Sequence, residues 1–434
     1  MSTNHRIIAL VDMNAFLASV EQALNPSLRA KPVVVGGEPG TRGVVICASY
    51  EARKLGVRFG TPLAEAYRRL PTAAFLKGDI KIYIDYWRAV QEIFGNYTPQ
   101  IEPVSMDEAY LDLTGSPAVS KAGCRGRFRS VRELGQALKD DIHKRLDIRC
   151  SIGISTTKMF AKIACGMRKP DGLTVIGHER AFAMLPALPV RQIPNVGYKT
   201  EKALSELGVH TVGDLLKVPR PALVELFGVR GSEWHDYARG IDRREVKPGL
   251  HRKTISRETT FNADSVDREF LGGTLYYLLE RVCQKLRELN LVAGRVAVKL
   301  RYVDYTGVDD VRPAPGAGAV LPCADRTMNF PSNSEGDIHP YVTALFDKIY
   351  TRKTGVRHLG ITAMNLTPAF RQIQLFASCQ GPSDEKSFDL ARGLDKVRAH
   401  LGYHAIYTGR TMRLGDKFRE VVDGYELRTP SLSQ

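Results

Sequence analysis

The chain is 434 residues long, 43% hydrophobic and 25% charged, the profile of a folded protein of several domains and not of a disordered or fibrous one. Its formal charge of +15 points to a polyanionic partner, nucleic acid first. No apolar run approaches the roughly 18 residues of a membrane span, the start predicts no secretory signal, and seven cysteines stand singly without a CxxC pair. Membrane, secreted and zinc-finger classes are excluded, and a cytoplasmic chain with reduced core thiols is expected.

In chain order, a strand is predicted over 7–11, running into Asp12, and a helix follows on the spacing of Phe16, Val20 and Leu24 until Asn25-Pro26 stops it. Strands over 32–35 and 44–48 flank a turn, with short helices at 51–55 and 63–70. Strands over 101–104 and 109–113 bracket Ser105-Met106-Asp107-Glu108. Leu134, Leu138, Ile142 and Leu146 mark a buried helix face; a strand over 149–154 and a helix over 158–167, capped by Thr156, come next. Mixed alternation of this kind means α/β or α+β layers. From 185 to 240 the pattern is helical around a tight turn at 193–197, and 246–252, basic and carrying Pro248-Gly249, reads as linker. Strand, helix, strand (253–261, 271–289, 295–303) and again strand, helix, strand (326–330, 341–350, 359–366) follow, split by a Pro-, Gly- and Ala-rich loop at 312–322. That is the split βαβ order.

Asp12 closes a buried strand and Asp107-Glu108 lie between two strands, where unpaired charge is costly. If the three carboxylates converge they form a natural magnesium site, able to activate a 3′-hydroxyl and steady a leaving pyrophosphate. The alternative is three ordinary strand-end carboxylates. Tyr50-Glu51-Ala52-Arg53 opens a helix and offers a hydroxyl and a guanidinium to phosphate oxygens. Lys169-Pro170-Asp171-Gly172 adds a cation on a turn just past a helix.

The runs Val11-Asp12-Met13, Ala48 to Arg53, Ser105 to Asp112, Gly153-Ile154-Ser155 with Lys158, Phe160-Ala161-Lys162, and Lys169 to Gly172, in this order, resemble the Y-family (DinB-type, DNA polymerase IV-like) translesion polymerases from about Ile7 to Leu366. The resemblance implies an α+β right-hand polymerase: a ferredoxin-like palm (1–15 and 81–176), small fingers (16–80), a helical helix-hairpin-helix thumb (177–243), a linker (244–253), a split-βαβ little finger (254–368) and a C-terminal tail (369–434). It implies a low-fidelity, template-directed DNA polymerase without a proofreading exonuclease. Asp12, Asp107 and Glu108, with the Met13 carbonyl, would hold two Mg²⁺ ions, for which Mn²⁺ can substitute. Tyr50, Arg53 and Lys169 would clamp the triphosphate. The implied partners are primer-template DNA and dNTPs, the protein acting as a monomer away from any membrane.

Three features qualify the resemblance. The family usually places Phe or Tyr five residues after the first Asp, where the ring excludes a ribonucleotide 2′-OH; here that residue is Leu17, so rNTPs are expected as additional substrates unless Phe16 or a backbone shift restores the gate. Asn14 stands where a second Asp is common and Ala15 where larger residues are common, and Pro194-Asn195-Val196-Gly197 resembles a helix-hairpin-helix turn with Asn for its first Gly. Arg295, Lys299 and Arg301 alternate with apolar residues and predict a cationic sheet face for duplex DNA, extended by Lys253, Arg257 and Arg357. Beyond the last strand, Gln372-Ile373-Gln374-Leu375-Phe376 looks like the bacterial pentapeptide for the sliding clamp (beta subunit), with Gln372, Leu375 and Phe376 as its contacts. Leu390, Leu394, Val397 and Leu401 mark a further amphipathic helix. Two competing functions are a catalytically inactive, clamp-binding scaffold of the same family and a two-metal nuclease. Intact carboxylates weigh against the first and the triphosphate clamp against the second.

Overall fold

A computed structural model of the chain describes residues 6–40, 42–116, 128, 130–249, 252–304, 323–369, 385–412 and 414. These divide into two compact units, one within Met1–Leu250 and one within His251–Ser431.

Among its described residues the first unit holds eight strands: β1 (Ile8–Met13), β2 (Val33–Val35), β3 (Cys47–Ala48), β4 (Ala74–Leu76), β5 (Ile101–Pro103), β6 (Glu108–Asp112), β7 (Cys150–Ser155) and β8 (Leu173–Val175). The larger sheet has the order β5-β6-β1-β7-β8, with β1 central and antiparallel to both neighbours. β1 is apolar on both faces because both are covered. Ala9, Val11 and Met13 pack with Tyr83, Trp87 and Phe94 of the helix Ile80–Gly95 and with Leu134 and Leu138 of the helix Val131–Leu146. Ile8 and Leu10 pack with Ala161 and Cys165 of the helix Lys158–Met167. That helix runs between the predicted residues, but its cap is Thr157, whose hydroxyl accepts from Phe160 N; Thr156 stands outside it. Gly153 lets the helix close on β7, since a Cβ there would lie 2.1 Å from Cys165 N.

A small sheet, β3-β2-β4, carries the short helices Tyr50–Lys54 and Leu63–Arg69 beside it. Four further helices, Tyr198–Glu206, Val212–Leu215, Arg220–Phe227 and Val229–Ala238, share a core of Leu204, Val212, Leu215, Leu223 and Trp234. Asn195, in the turn before them, adopts φ 68°, the left-handed conformation that Asn tolerates. The first half of the stretch read as linker is fixed to this unit: Val246 is buried with Ile8 and Leu10, and Lys247 N donates to Glu102 at 2.7 Å.

The second unit is a four-stranded antiparallel sheet of β9 (Thr254–Ser265), β10 (Leu291–Tyr302), β11 (Cys323–Ser332) and β12 (Val356–Pro368), in the order β11-β10-β12-β9. Each strand-helix-strand unit is split by a strand of the other, as the sequence order predicts. The helices Arg268–Glu288 and Glu335–Ile349 cover one face, meeting Val296, Val298, Leu300, Leu359 and Ile361. The C-terminal helix, Glu385–Leu401, docks on this unit through charge: Asp395 pairs with Arg287, and Arg398 with Glu280. Leu390 and Leu401 of the predicted apolar stripe are exposed. Cys47, Cys150, Cys165 and Cys283 are buried free thiols, whereas Cys323 is exposed. Among the described residues no helix is long and apolar enough to cross a membrane.

Candidate active site

Pairing of β1 with β6 places Asp12 directly opposite Glu108, and Met13 N donates to the Asp107 carbonyl at 2.7 Å. The sheet register therefore brings the three predicted carboxylates to one end of the central strands. Burial raises the Asp12 pKa; Lys169 opposes this, and the charges of Asp107 and Glu108 add to it. Each of the two flanking acids already has a partner. Lys169 Nζ lies 2.5 Å from Asp12 Oδ2, and Lys162 Nζ donates to both Glu108 oxygens at 2.9 and 3.0 Å. The third acid, Asp107, accepts from Ser105 Oγ at 2.5 Å. Among the described residues no three acidic, His or Cys side chains close around one point, so the convergence is electrostatic and not a preformed cage. The donor set is nonetheless all oxygen, the chemistry that suits Mg²⁺, and lysine ammonium groups sit on two of its three members.

The phosphate-side residues meet the same end of the sheet. Ser49 caps the helix Tyr50–Lys54, its hydroxyl accepting from Ala52 N. Arg53 stacks its guanidinium 4.8 Å from the Tyr50 ring centroid and donates from Nε to Ala48 O at 2.8 Å. Burial raises the Tyr50 pKa, opposed by the charges of Arg53 and Lys169. Burial works against the Lys169 charge, but Asp12 outweighs it and the ammonium pKa rises. Tyr50, Arg53, Lys169 and Asp12 thus act on one another.

Leu17 is buried in the first unit's core, within the same cluster as Met13, Cys47 and Tyr83. Phe16 is also buried, edge-on to Trp87 with ring centroids 6.4 Å apart. Ala15 before them takes φ 45°, in the left-handed region, where its Cβ carries a steric cost that a glycine would not.

Two residues of this corner had been given no role. Lys162 lies on the sheet-facing side of its helix, and Asn14 links Tyr50 to the Lys169 turn. The i, i+4 pair Lys158 and Lys162 on a helix packed over acidic strands was the available signal for the first; Lys158 Nζ pairs with Glu102 at 2.5 Å.

On β10, Arg295, Lys299 and Arg301 do share the face away from the helices, but acids interleave them. Arg295 Nε donates to Asp325 at 2.6 Å, and Lys299 reaches Glu258 at 2.7 Å, which also meets His358 at 3.1 Å. Arg301 has a buried Nε without a partner. Arg357 is paired with Asp264 at 3.0 Å, and Lys253 is exposed just ahead of β9. Arg257 departs from expectation. It shares its β9 parity with buried Ile255 and Phe261, so it faces the helical layer, where burial and the charge of Arg281 push its pKa down. Gln372, Leu375 and Phe376 lie outside the described residues.

An acidic sheet end faced by a hydroxyl and cations is chemistry for a nucleoside triphosphate, and comparison with known proteins bears on the class directly. The impB/mucB/samB family matches residues 11–166, its C-terminal domain matches 252–375, and the DNA polymerase-iota thumb domain matches 191–242. A DNA polymerase IV of Dehalococcoides mccartyi is 34% identical over 95% of this chain and 99% of its own. One of Halorhodospira halophila is 39% identical over 86% of this chain and 99% of its own. Among solved structures, a Y-family DNA polymerase chimera of Dbh and Dpo4 superposes with a TM-score of 0.72 at 26% identity, over 83% of this chain and 98% of that one. DinB from Sulfolobus solfataricus gives 0.55 at 25% identity, over 82% and 98%. The chain belongs to the impB/mucB/samB family of Y-family translesion DNA polymerases. It is a DNA-directed DNA polymerase with that family's fold and thumb.

Proposed function

We propose that this polymerase extends a primer 3′-hydroxyl at the end of β1, with Asp12, Asp107, Glu108 and the Met13 carbonyl holding divalent cations. Magnesium bound there supplies activation of the 3′-hydroxyl and charge stabilisation of the leaving pyrophosphate. Tyr50, Arg53 and Lys169 bind the triphosphate, the Asp12 carboxylate more than offsetting the effect of burial on the Lys169 ammonium. The observation that carries the assignment is the 2.5 Å contact of Lys169 with Asp12, beside a Tyr50 hydroxyl that feels both charges. The residue ranges 1–15 with 81–176, 16–80, 177–243 and 254–368 serve as palm, fingers, thumb and little finger.

The sugar gate is weakened. Leu17 supplies no ring beside C2′, and Phe16 is committed to Trp87, which supports ribonucleotide use alongside dNTPs. The outer face of β10 grips duplex DNA through Arg295, Lys299 and Arg301, aided by Lys253 and Arg357, and the pentapeptide 372–376 tethers the enzyme to a sliding clamp.

Single-nucleotide insertion with Mg²⁺ tests the assignment. Asp12→Asn, Asp107→Asn and Glu108→Gln should each lower kcat by about a hundredfold or more, whereas Lys169→Ala should chiefly raise KM for the nucleotide. Retained kcat in all three carboxylate variants would refute the site. Leu17→Phe should raise the preference for dNTP over rNTP, and unchanged preference would refute the gate.

A further inference from the structure

Asn14 follows β1, two residues after Asp12, and is only 4% exposed. A buried amide of this kind has to have its donors and acceptor satisfied, and the partners it finds are all at the triphosphate side of the site. Nδ2 donates to Ser151 Oγ at 2.9 Å and reaches Tyr50 OH at 3.5 Å; Oδ1 accepts from Asp171 N at 2.8 Å. Ser151 Oγ, fully buried, also accepts from Gly172 N at 3.4 Å. The asparagine is itself fixed, since its backbone N donates to Arg149 O at 2.9 Å and its carbonyl accepts from Ser19 Oγ at 2.5 Å.

We propose that Asn14 is a positioning residue for nucleotide binding: its amide aims the Lys169–Gly172 turn and the Tyr50 hydroxyl at the triphosphate. The proposal rests on the reading of Tyr50 and Lys169 as triphosphate ligands. The turn has two kinds of anchor. The Asp171 carboxylate is held by Lys139 at 2.7 Å and Arg149 at 2.9 Å, which fixes one side of it. Its backbone N–H, at a residue with φ 56°, is fixed by Asn14. Both anchors are needed to set the direction in which Lys169, two residues earlier, projects. Asn14 suits the place chemically because its Oδ1 accepts from the Asp171 N–H while its other end meets the Ser151 and Tyr50 hydroxyls, which can donate as well as accept. An aspartate here keeps the acceptor for Asp171 N–H; a leucine of similar size keeps neither function.

The test is steady-state insertion of one dNTP by the full chain on a labelled primer-template, comparing wild type, Asn14→Leu, Asn14→Asp, Lys169→Ala and the Asn14→Leu/Lys169→Ala double variant. Asn14→Leu should raise KM for the dNTP about tenfold or more while kcat changes less than about threefold. Asn14→Asp should return KM to within about threefold of wild type, and Asn14→Leu should add less than about twofold once Lys169 is gone, because the two act through one another. Ser151→Ala, a gentler cut of the same network, should raise KM in the same direction and serves if Asn14→Leu does not fold. Unchanged KM in the folded variants, or the same loss with and without Lys169, overturns the proposal while leaving the triphosphate reading in place. A wild-type chain that inserts no dNTP overturns both.

Discussion

Arg287→Leu is expected to unfold the second unit well below the wild-type temperature. The Arg287 side chain is 6% exposed and donates to two carboxylates, through Nε to Asp395 at 2.6 Å and through Nη1 and Nη2 to Glu335 at 2.9 and 2.8 Å, with a further bond to Asn333 O. Leucine preserves much of the volume but leaves two carboxylates facing each other with no cation. Removing one partner of a buried pair costs about 3–5 kcal/mol, because the remaining charge stays desolvated. For a unit of this size each kcal/mol shifts Tm by roughly 2–4 °C, so a fall of about 6–20 °C is predicted. Calorimetry of the full chain reads it as a shift in one transition. The triple variant Arg287→Leu/Glu335→Gln/Asp395→Asn should recover much of the loss, since no charge is then stranded. Asp395→Asn alone should loosen the C-terminal helix, read as faster amide exchange over 389–401. A shift under about 2 °C for Arg287→Leu would refute the network's structural role.

Three further outcomes follow from local geometry. Gly153→Ala places a Cβ 2.2 Å from Ala161 O and should destabilise the first unit by about 3 kcal/mol, read by thermal melting; a wild-type melt would refute the contact. Hydrogen bonding to His358, outweighing burial and aided by Lys299, holds the Glu258 pKa at about 2 against an ordinary 4.5. Its stabilisation is therefore full above pH 4.5 and lost as pH falls from there toward 2, so Glu258→Gln and wild type should melt apart at pH 6 and converge near pH 2. The same substitution frees Lys299 and should steepen the dependence of DNA affinity on salt, whereas an unchanged slope would remove Lys299 from the DNA face.

Much of this was legible in the sequence, and the omissions have physical causes. The helix Lys158–Met167 and β1 emerge because a cap or charge ends each apolar pattern sharply. The helix Ile80–Gly95 was missed although Tyr83, Trp87, Val90 and Phe94 carry helical spacing, masked by β-prone aromatic and branched residues. Arg257 was assigned to the wrong face although Ile255 and Phe261, on its own parity, marked the buried side. Which acid Lys162 meets and which turn Asn14 holds were illegible for a different reason. Their partners Glu108 and Asp171 are 54 and 157 residues away, and no local pattern encodes which side chain a fold will bring to them.

The most direct test of the account is extension of a labelled primer on a DNA template by the wild-type chain with Mg²⁺, dNTPs in one lane and rNTPs in the other. Extension in both lanes, reduced in the rNTP lane alone by Leu17→Phe, is the predicted result. Extension with dNTPs only would contradict the open sugar gate at Leu17, and no extension in either lane would contradict the catalytic site at Asp12, Asp107 and Glu108.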